Sequence, residues 1–273
     1  MLLAKKFWAA SVAVAMLSLA TAAAQAETKI HWYGHSAVKI ETPSGGVILI
    51  DPWLKAPSNP DKEAIAGLGR VDYILITHGH FDHVGNAVEI GKKTGAELIT
   101  TADLTRNLVA VEGYPKDKTG KNAYTGGTVA LPKAGARVTF VNAVHGSNLL
   151  LSKPPENGPV TLPGGNPVGF VIEIEGGPTI YHTGDTDVNS DMKLIPEFFK
   201  VDLMFACIGG HFTMDPARAA LAVEWVNARQ VMPIHYGTFP ILAGSPAQFK
   251  AALDKRGLGG RMIELKPGED RVF

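Results

Sequence analysis

Thr77-His78-Gly79-His80-Phe81-Asp82-His83 is the stretch that decides how this chain is read. It follows an apolar run, Asp72-Tyr73-Ile74-Leu75-Ile76, and precedes a segment with helical apolar spacing from Val84 to Lys93. Three imidazoles and a carboxylate thus fall within six residues at the mouth of an expected strand. An isolated histidine is more often a packed or surface residue than a ligand, but four ligand-type groups at this spacing are not what packing calls for. Neutral imidazole and carboxylate suit zinc, iron or manganese. Residues two apart on an extended segment project the same way, so His78 and His80 can converge on one ion. Asp82 and His83 follow on the turn into the helix, where the chain changes direction and can offer them to a second ion beside the first.

Toward the N-terminus, Lys5 and Lys6 precede an apolar stretch from Phe7 to about Ala24 that ends in Ala24-Gln25-Ala26. Residues 1–26 therefore read as a secretory signal peptide cleaved after Ala26. Ser11, Ser18 and Thr21 interrupt the run, which falls short of the roughly 20 residues of a comfortable membrane span. No cysteine follows the cleavage site to carry a lipid, and no Arg-Arg pair marks the twin-arginine route. The expectation is an exported protein, periplasmic or secreted, with no stable membrane association after cleavage. Residues 27–273 suit one large α/β domain.

Lys and Arg together number 26, as do Asp and Glu, and no basic cluster is present, which excludes a nucleic-acid partner. A small-molecule substrate is the expected partner, and a homo-oligomer is compatible with the sequence. Cys207 is alone, so no intrachain disulfide can form, and its setting in Leu203-Met204-Phe205-Ala206-Cys207-Ile208 reads as a small buried hydrophobe.

From Lys29 the chain reads as two strands, the first from Ile30 to Ile40 and the second, Val47-Ile48-Leu49-Ile50, ending at Asp51-Pro52. Residues 53–69 read as loop with a short helix at 61–66. A strand at 97–101 and a helix at 102–112 follow, then short strands up to 137 and a strand from Val138 into His145. Residues 149–167, dense in Pro, Gly and Asn, read equally as a lid or a solvated linker. A hairpin spans 168–182 across Gly176-Gly177, with Thr183-Gly184-Asp185-Thr186 at its end. A short helix at 192–199 and a strand at 201–208 lead to Gly209-Gly210-His211-Phe212. Asp215-Pro216 opens a helix, a strand from Gln230 leads to His235, and a helix at 246–255 and a strand at 261–265 finish the chain. Alternating strands and helices in both halves predict a two-sheet sandwich flanked by helices.

Three further positions repeat one arrangement, an apolar strand ending in a ligand-type residue and a turn: His145, Asp185 and His235. With the opening cluster they make seven ligands, a number that matches two metals sharing a bridging carboxylate.

These residues resemble the five signature motifs of the metallo-β-lactamase superfamily. More narrowly, the chain is similar to the UPF0173 type of metal-dependent hydrolase, with relatives among ascorbate-phosphate lactonases and N-acylethanolamine phospholipases. The resemblance is carried by Trp32-Tyr33-Gly34-His35-Ser36, Ile50-Asp51-Pro52, the Thr77–His83 stretch, His145, Tyr181–Thr186, Ile208–Met214 and Pro233–Pro240. It implies an αββα fold of the α/β (α+β) class. His78, His80 and His145 would hold one ion, Asp82, His83 and His235 the other, with Asp185 bridging. Asp51 would orient the ligands without binding metal. One departure is informative: cysteine stands at the position of Asp185 in the best-known branch of zinc β-lactamases, which makes antibiotic hydrolysis a poor first guess.

The chemistry implied is attack of metal-activated water on an ester, lactone or phosphodiester, with two divalent ions about 3.5–4 Å apart. Zinc is the first choice of metal, and manganese, iron or nickel would also suit five imidazoles and two carboxylates. Asp82 would orient the nucleophile, and His211 and His35 are the candidates for protonating a leaving group or holding an anionic one. The rivals are an iron-dependent oxidoreductase of the sulfur dioxygenase kind on the same scaffold and a non-catalytic metal-binding protein. The second ligand set disfavours the first, and intact motifs disfavour the second.

Overall fold

A computed structural model describes residues 27–273; the expected signal peptide, residues 1–26, lies outside the described residues. In chain order, β1 (Lys29–Gly34), β2 (Ala37–Glu41), β3 (Val47–Ile50), β4 (Tyr73–Leu75) and β5 (Glu97–Ile99) lie side by side in one sheet. The second sheet takes β6 (Thr128–Leu131) and β7 (Ala136–Asn142). A small separate hairpin, β8 (Asn148–Leu150) and β9 (Thr161–Pro163), follows. Then β10 (Val168–Ile174), β11 (Thr179–His182), β12 (Leu203–Cys207) and β13 (Gln230–Ile234) complete the second sheet. The last strand, β14 (Asp270–Val272), returns to the first sheet and pairs antiparallel with β1.

Side-chain alternation sorts the strands into two sheets with two faces each. Ile48 and Ile50 of β3 enter the space between the sheets, where they meet Phe140, Phe170, Phe205 and Met232 from the second sheet. Leu49, between them, faces outward with Ile74 and Leu98. That outer face is covered by α3 (Ala87–Thr94) and α4 (Ala102–Asn107), through residues such as Ile90 and Leu104. Two short helices, α1 (Ala64–Gly67) and α2 (Phe81–Val84), precede them. On the far side Met204 and Ala206 face α6 (Pro216–Val226) and α7 (Pro246–Asp254), preceded by the short α5 (Ile195–Phe198). The result is the expected αββα layering.

The capping expected for α6 is present: the Asp215 carboxylate accepts from the amides of Ala217 and Arg218 at 2.8 and 2.9 Å, with Pro216 at the first helical position.

Four expectations about elements are corrected. The strand from Ile30 to Ile40 is two strands, folded at Gly34 and His35, both with positive φ. The helix from Val84 to Lys93 is broken at Gly85, whose φ of 44° and ψ of −116° bring its Cα so near Trp53 that a Cβ would lie 2.5 Å from the Trp53 Cα. The strand at 261–265 is a short 3-10 turn and a single bridge from Met262 to Val231, and the edge of the first sheet is closed instead by β14. The stretch 149–167 contains the β8–β9 pairing, which packs on the His78–His80 turn: a Cβ at Gly79 would meet the backbone of Gly164, Asn148 and Leu149 at 3.0–3.1 Å.

β7, β11, β12 and β13 run in one direction, since β10 is antiparallel to both β7 and β11, while β11, β12 and β13 are mutually parallel. Their C-terminal ends, with those of β3 and β4, meet at one edge of the sandwich. Loops there hang from a rigid frame and carry the candidate site.

Candidate metal centre

Asp51 follows β3 on a left-handed turn, φ 43°, and is fully buried. Its Oδ1 accepts from the Thr77 amide at 2.8 Å, and its Oδ2 accepts from the Thr77 hydroxyl at 2.8 Å and from His83 Nδ1 at 2.7 Å. The Thr77 hydroxyl in turn accepts from His78 Nδ1 at 3.0 Å. One carboxylate therefore fixes the rings of two histidines, His83 directly and His78 through Thr77. Both rings are held with Nε2 as the nitrogen left to face the site.

His78, from the exit of β4, His80, at the start of α2, and His145, after β7, form the first group. His80 Nδ1 lies 2.9 Å from His78 Nε2 and 3.3 Å from His145 Nε2. Two nitrogens bound to one tetrahedral zinc at 2.0–2.1 Å stand about 3.3 Å apart, so this spacing suits a shared ion. Burial lowers the pKa of all three below the ordinary imidazole value and keeps them in the neutral, donor-ready form.

Asp82 and His83 on α2, with His235 immediately after β13, form the second group, and Asp185 lies between the two groups. Asp185 Oδ2 stands 3.0 Å from His235 Nε2 and 3.5 Å from His145 Nε2, and its Oδ1 stands 3.3 Å from His83 Nε2. Asp82 Oδ2 is 3.6 Å from His235 Nε2 and 3.9 Å from His83 Nε2. His83 Nε2, His235 Nε2 and Asp185 Oδ1 are buried polar atoms without a hydrogen-bond partner, and they converge. Burying such atoms unpaired is costly, and a cation among them removes the cost. The donor set thus fits divalent metal at both groups.

The electrostatics agree. Against the opposing effect of burial, Asp185 holds His83 well above the usual imidazole range and raises His235 to about 9. His235 and His83 in turn overcome burial at Asp185 and hold its carboxyl well below its ordinary value, and His83 does the same, with His235 and His35, for Asp82. Buried carboxylates here require positive charge beside them, which imidazolium supplies in the metal-free chain and a metal ion would supply in its place.

His35 was expected to face a leaving group, and the structure gives it a different position. Its side chain is fully buried, Nε2 lies 3.0 Å from Asp82 Oδ2 and Nδ1 lies 2.8 Å from Thr238 Oγ1. Burial, with the tilted ring of His235 4.0 Å away, lowers its pKa to about 4, so the ring is neutral. It donates from Nε2 to Asp82 and accepts from Thr238, with no nitrogen left for substrate. His211 is exposed at the exit of β12, on a left-handed backbone of φ 58°, with its ring edge-on to Phe212. Of the five non-glycine residues with positive φ among the described residues, His35, Asp51, His211 and His235 lie at this edge of the sandwich, and Asn227 ends α6. Strained backbone gathers where function holds it in place.

Two participants carried no signal in the sequence. Thr77 was quoted as part of the cluster but had no assigned task. His182 fell within the Tyr181–Thr186 stretch with no task of its own. It donates from Nε2 to the Ser36 carbonyl at 3.1 Å and accepts at Nδ1 from the Gly184 amide at 3.1 Å, so it ties β11 to the turn between β1 and β2 and shapes the turn that carries Asp185. Nothing in one-dimensional spacing marks either contact. Cys207 is a buried packing residue, as expected, and Tyr181 is buried as well.

Comparison with known proteins accords with this geometry. Residues 29–235 match the beta-lactamase superfamily domain. A UPF0173 metal-dependent hydrolase of Anaeromyxobacter dehalogenans (strain 2CP-C) is 51% identical over 255 residues, covering 92% of this chain and 89% of the relative. One from Thermodesulfovibrio yellowstonii is 46% identical, covering 89% of this chain and 91% of the relative. The solved structure of Igni18, a metallo hydrolase from Ignicoccus hospitalis, superposes with a TM-score of 0.76 at 31% identity, over 90% of this chain and 98% of that one. The chain belongs to the beta-lactamase superfamily and, within it, to the UPF0173 metal-dependent hydrolases.

Proposed function

We propose that this metal-dependent hydrolase uses two divalent cations, zinc for preference, to cleave an ester, lactone or phosphodiester of a small molecule. His78, His80 and His145 would hold one ion and Asp82, His83 and His235 the other, with Asp185 shared. Bound there, the pair would supply hydroxide near neutral pH and polarise the oxygen of the scissile group. The observation that carries the reading is the position of Asp185, within 3.0–3.5 Å of ring nitrogens from both groups.

The remaining roles belong to the chain's own side chains. Asp51 keeps the ring of His83, and through Thr77 that of His78, turned with Nε2 toward the site. His35 steadies Asp82 through Oδ2, the oxygen that also faces His83 and His235. Asp82 is 13% exposed and, with His80 and His145, borders the open side of the centre where substrate enters. His211 is the group proposed to protonate the leaving group, since it stands solvent-accessible on a strained turn at the same edge. Residues 1–26 are proposed to direct export, with 27–273 as the mature hydrolase.

The test is elemental analysis of the native protein followed by a panel of phosphodiester, lactone and carboxyl ester substrates. Two equivalents of metal per chain are expected, falling to one or fewer in Asp185→Asn, with hydrolysis restored by zinc after chelation. One equivalent of iron together with oxygen uptake would favour the oxidoreductase reading instead. An exported form beginning at Glu27 is the corresponding test of cleavage.

A further inference from the structure

Three aromatic rings from two loops and the start of α2 meet beside the second ligand group. Trp53, from the loop after β3, and Phe239, from the loop after β13, stack at 5.9 Å between centroids with their planes 23° apart. Phe81, on α2 between His80 and Asp82, stands edge-on to Trp53 at 5.6 Å and 6.5 Å from Phe239. His35, whose Nε2 sits on Asp82, is edge-on to Trp53 at 5.3 Å and 6.2 Å from Phe239. The aromatic cluster therefore packs directly against the ligand shell through the buried ring of His35. Phe81 nonetheless keeps 52% of its area exposed at the open side of the centre. Val144, Phe212 and Ile241, about half exposed, sit on segments leaving β7, β12 and β13 at the same edge.

Apolar surface left open beside convergent polar groups is what a ligand pocket offers. The charge of the wall narrows the ligand further. Lys55, two residues after Trp53, is paired with Glu89 at 2.9 Å, and its backbone amide donates to Asn86 Oδ1. The wall thus presents ring faces and edges, and the nearest cation along the chain is already paired with a carboxylate.

We propose that Trp53, Phe81 and Phe239 form a subsite for an uncharged apolar group, and that the substrates are neutral esters or lactones bearing an alkyl or aryl substituent. This rests on the hydrolytic reading of the metal centre and selects among its substrate classes. Three rings held by mutual packing accept an alkyl chain or aromatic ring with little ordering cost, because their own rotamers are already fixed.

The experiment uses the metal-loaded full chain with p-nitrophenyl acetate, butyrate and octanoate and with bis(p-nitrophenyl) phosphate. In wild type, kcat/KM is expected to rise at least tenfold from acetate to octanoate and to exceed that for the phosphodiester. Phe81→Ser, and independently Phe239→Ser, should flatten the chain-length dependence while metal content stays at the wild-type value. A flat dependence in wild type, a preference for the phosphodiester, or an equal loss on every ester in the variants overturns the proposal.

Binding of the neutral dye N-phenyl-1-naphthylamine, followed by its fluorescence, separates the subsite from the chemistry. The dye should bind Phe81→Ser about tenfold more weakly than wild type. It should bind unchanged to Phe198→Ser, altered at a separate apolar groove of about 580 Å³ on the outer face of the second sheet. Equal dye affinity in Phe81→Ser and wild type overturns the subsite, whereas absence of all hydrolysis with dye binding as expected overturns the hydrolytic reading and leaves the subsite standing.

Discussion

Replacing Asp51 by Asn tests how ligand orientation depends on a carboxylate that itself binds no metal. The two side chains have the same shape, and Asn tolerates the left-handed φ of 43°, so the backbone is not strained. The carboxylate accepts three hydrogen bonds, the Thr77 amide at one oxygen and the Thr77 hydroxyl and His83 Nδ1 at the other. Asn offers a single acceptor oxygen. If that oxygen keeps His83 and the hydroxyl, the Thr77 amide faces an NH2 group, and a buried donor without an acceptor costs about 1–3 kcal/mol. If the amide is turned over, the NH2 group faces His83 Nδ1 and drives the ring proton to Nε2, the nitrogen that faces Asp185 at 3.3 Å. Either outcome weakens the second group. Loss of such an outer partner typically costs 10–100-fold in metal affinity, about 1.4–2.7 kcal/mol. Competition with a chelating dye should therefore show the ion at Asp82, His83 and His235 weakened 10–100-fold and the other ion less, because Asp51 reaches His78 only through Thr77. Thr77→Val should invert that order. Two ions bound by Asp51→Asn with wild-type affinity, in a chain shown by circular dichroism to be folded, would refute the reasoning.

Three other outcomes are expected. Gly79→Ala forces a Cβ to within 3.0–3.1 Å of the β8–β9 backbone and should destabilise the chain by about 1–3 kcal/mol; an unchanged urea midpoint would speak against the close packing of that hairpin. Burial raises the pKa of the phenols of Tyr114 and Tyr181 above 10.0 and that of the Cys207 thiol from 9.0 to about 11. These groups are neutral in the fold but ionise once unfolded, so their stabilisation is complete below pH 9–10 and is lost as pH rises above it. The loss is about 1.4 kcal/mol per pH unit for each ionising group, and a urea midpoint that stays level from pH 8 to 11 would contradict it. Chelation should lower the melting temperature and zinc should restore it, because ligand binding to the folded state adds RT ln(1 + [L]/Kd); insensitivity of the transition to chelator would count against a resident metal.

Local chemistry carried a long way in this protein. The Val47–Ile50 run, the strand before Thr77 and the Asp215-Pro216 start of α6 were legible because side-chain alternation, continuous apolar runs and capping are properties of neighbouring residues. The seven side chains that meet at the sandwich edge were legible because each ends or closely follows an apolar strand with a ligand-type residue and a turn. Less was legible wherever residues far apart in the chain decide the matter. β14 pairs with β1 across more than two hundred residues, and no pattern within Asp270–Val272 announces it. Gly85 breaks a helix that periodicity would continue, because Trp53 occupies the space a side chain would need. His35 looked like a free acid at a strand end, and it is Asp82 and Thr238, 47 and 203 residues away, that take both of its nitrogens.

Residue identity and spacing alone determined the layered α/β class and the presence of a His/Asp donor set of the kind metals take, since these follow from side-chain chemistry and short-range geometry. Only the tertiary structure decided which nitrogens face one another, that Asp185 lies between the two groups, that Asp51 steers two rings at once, and that an aromatic wall adjoins the centre. Those are distances between loops, and loops are placed by the packing of two sheets rather than by their own sequences.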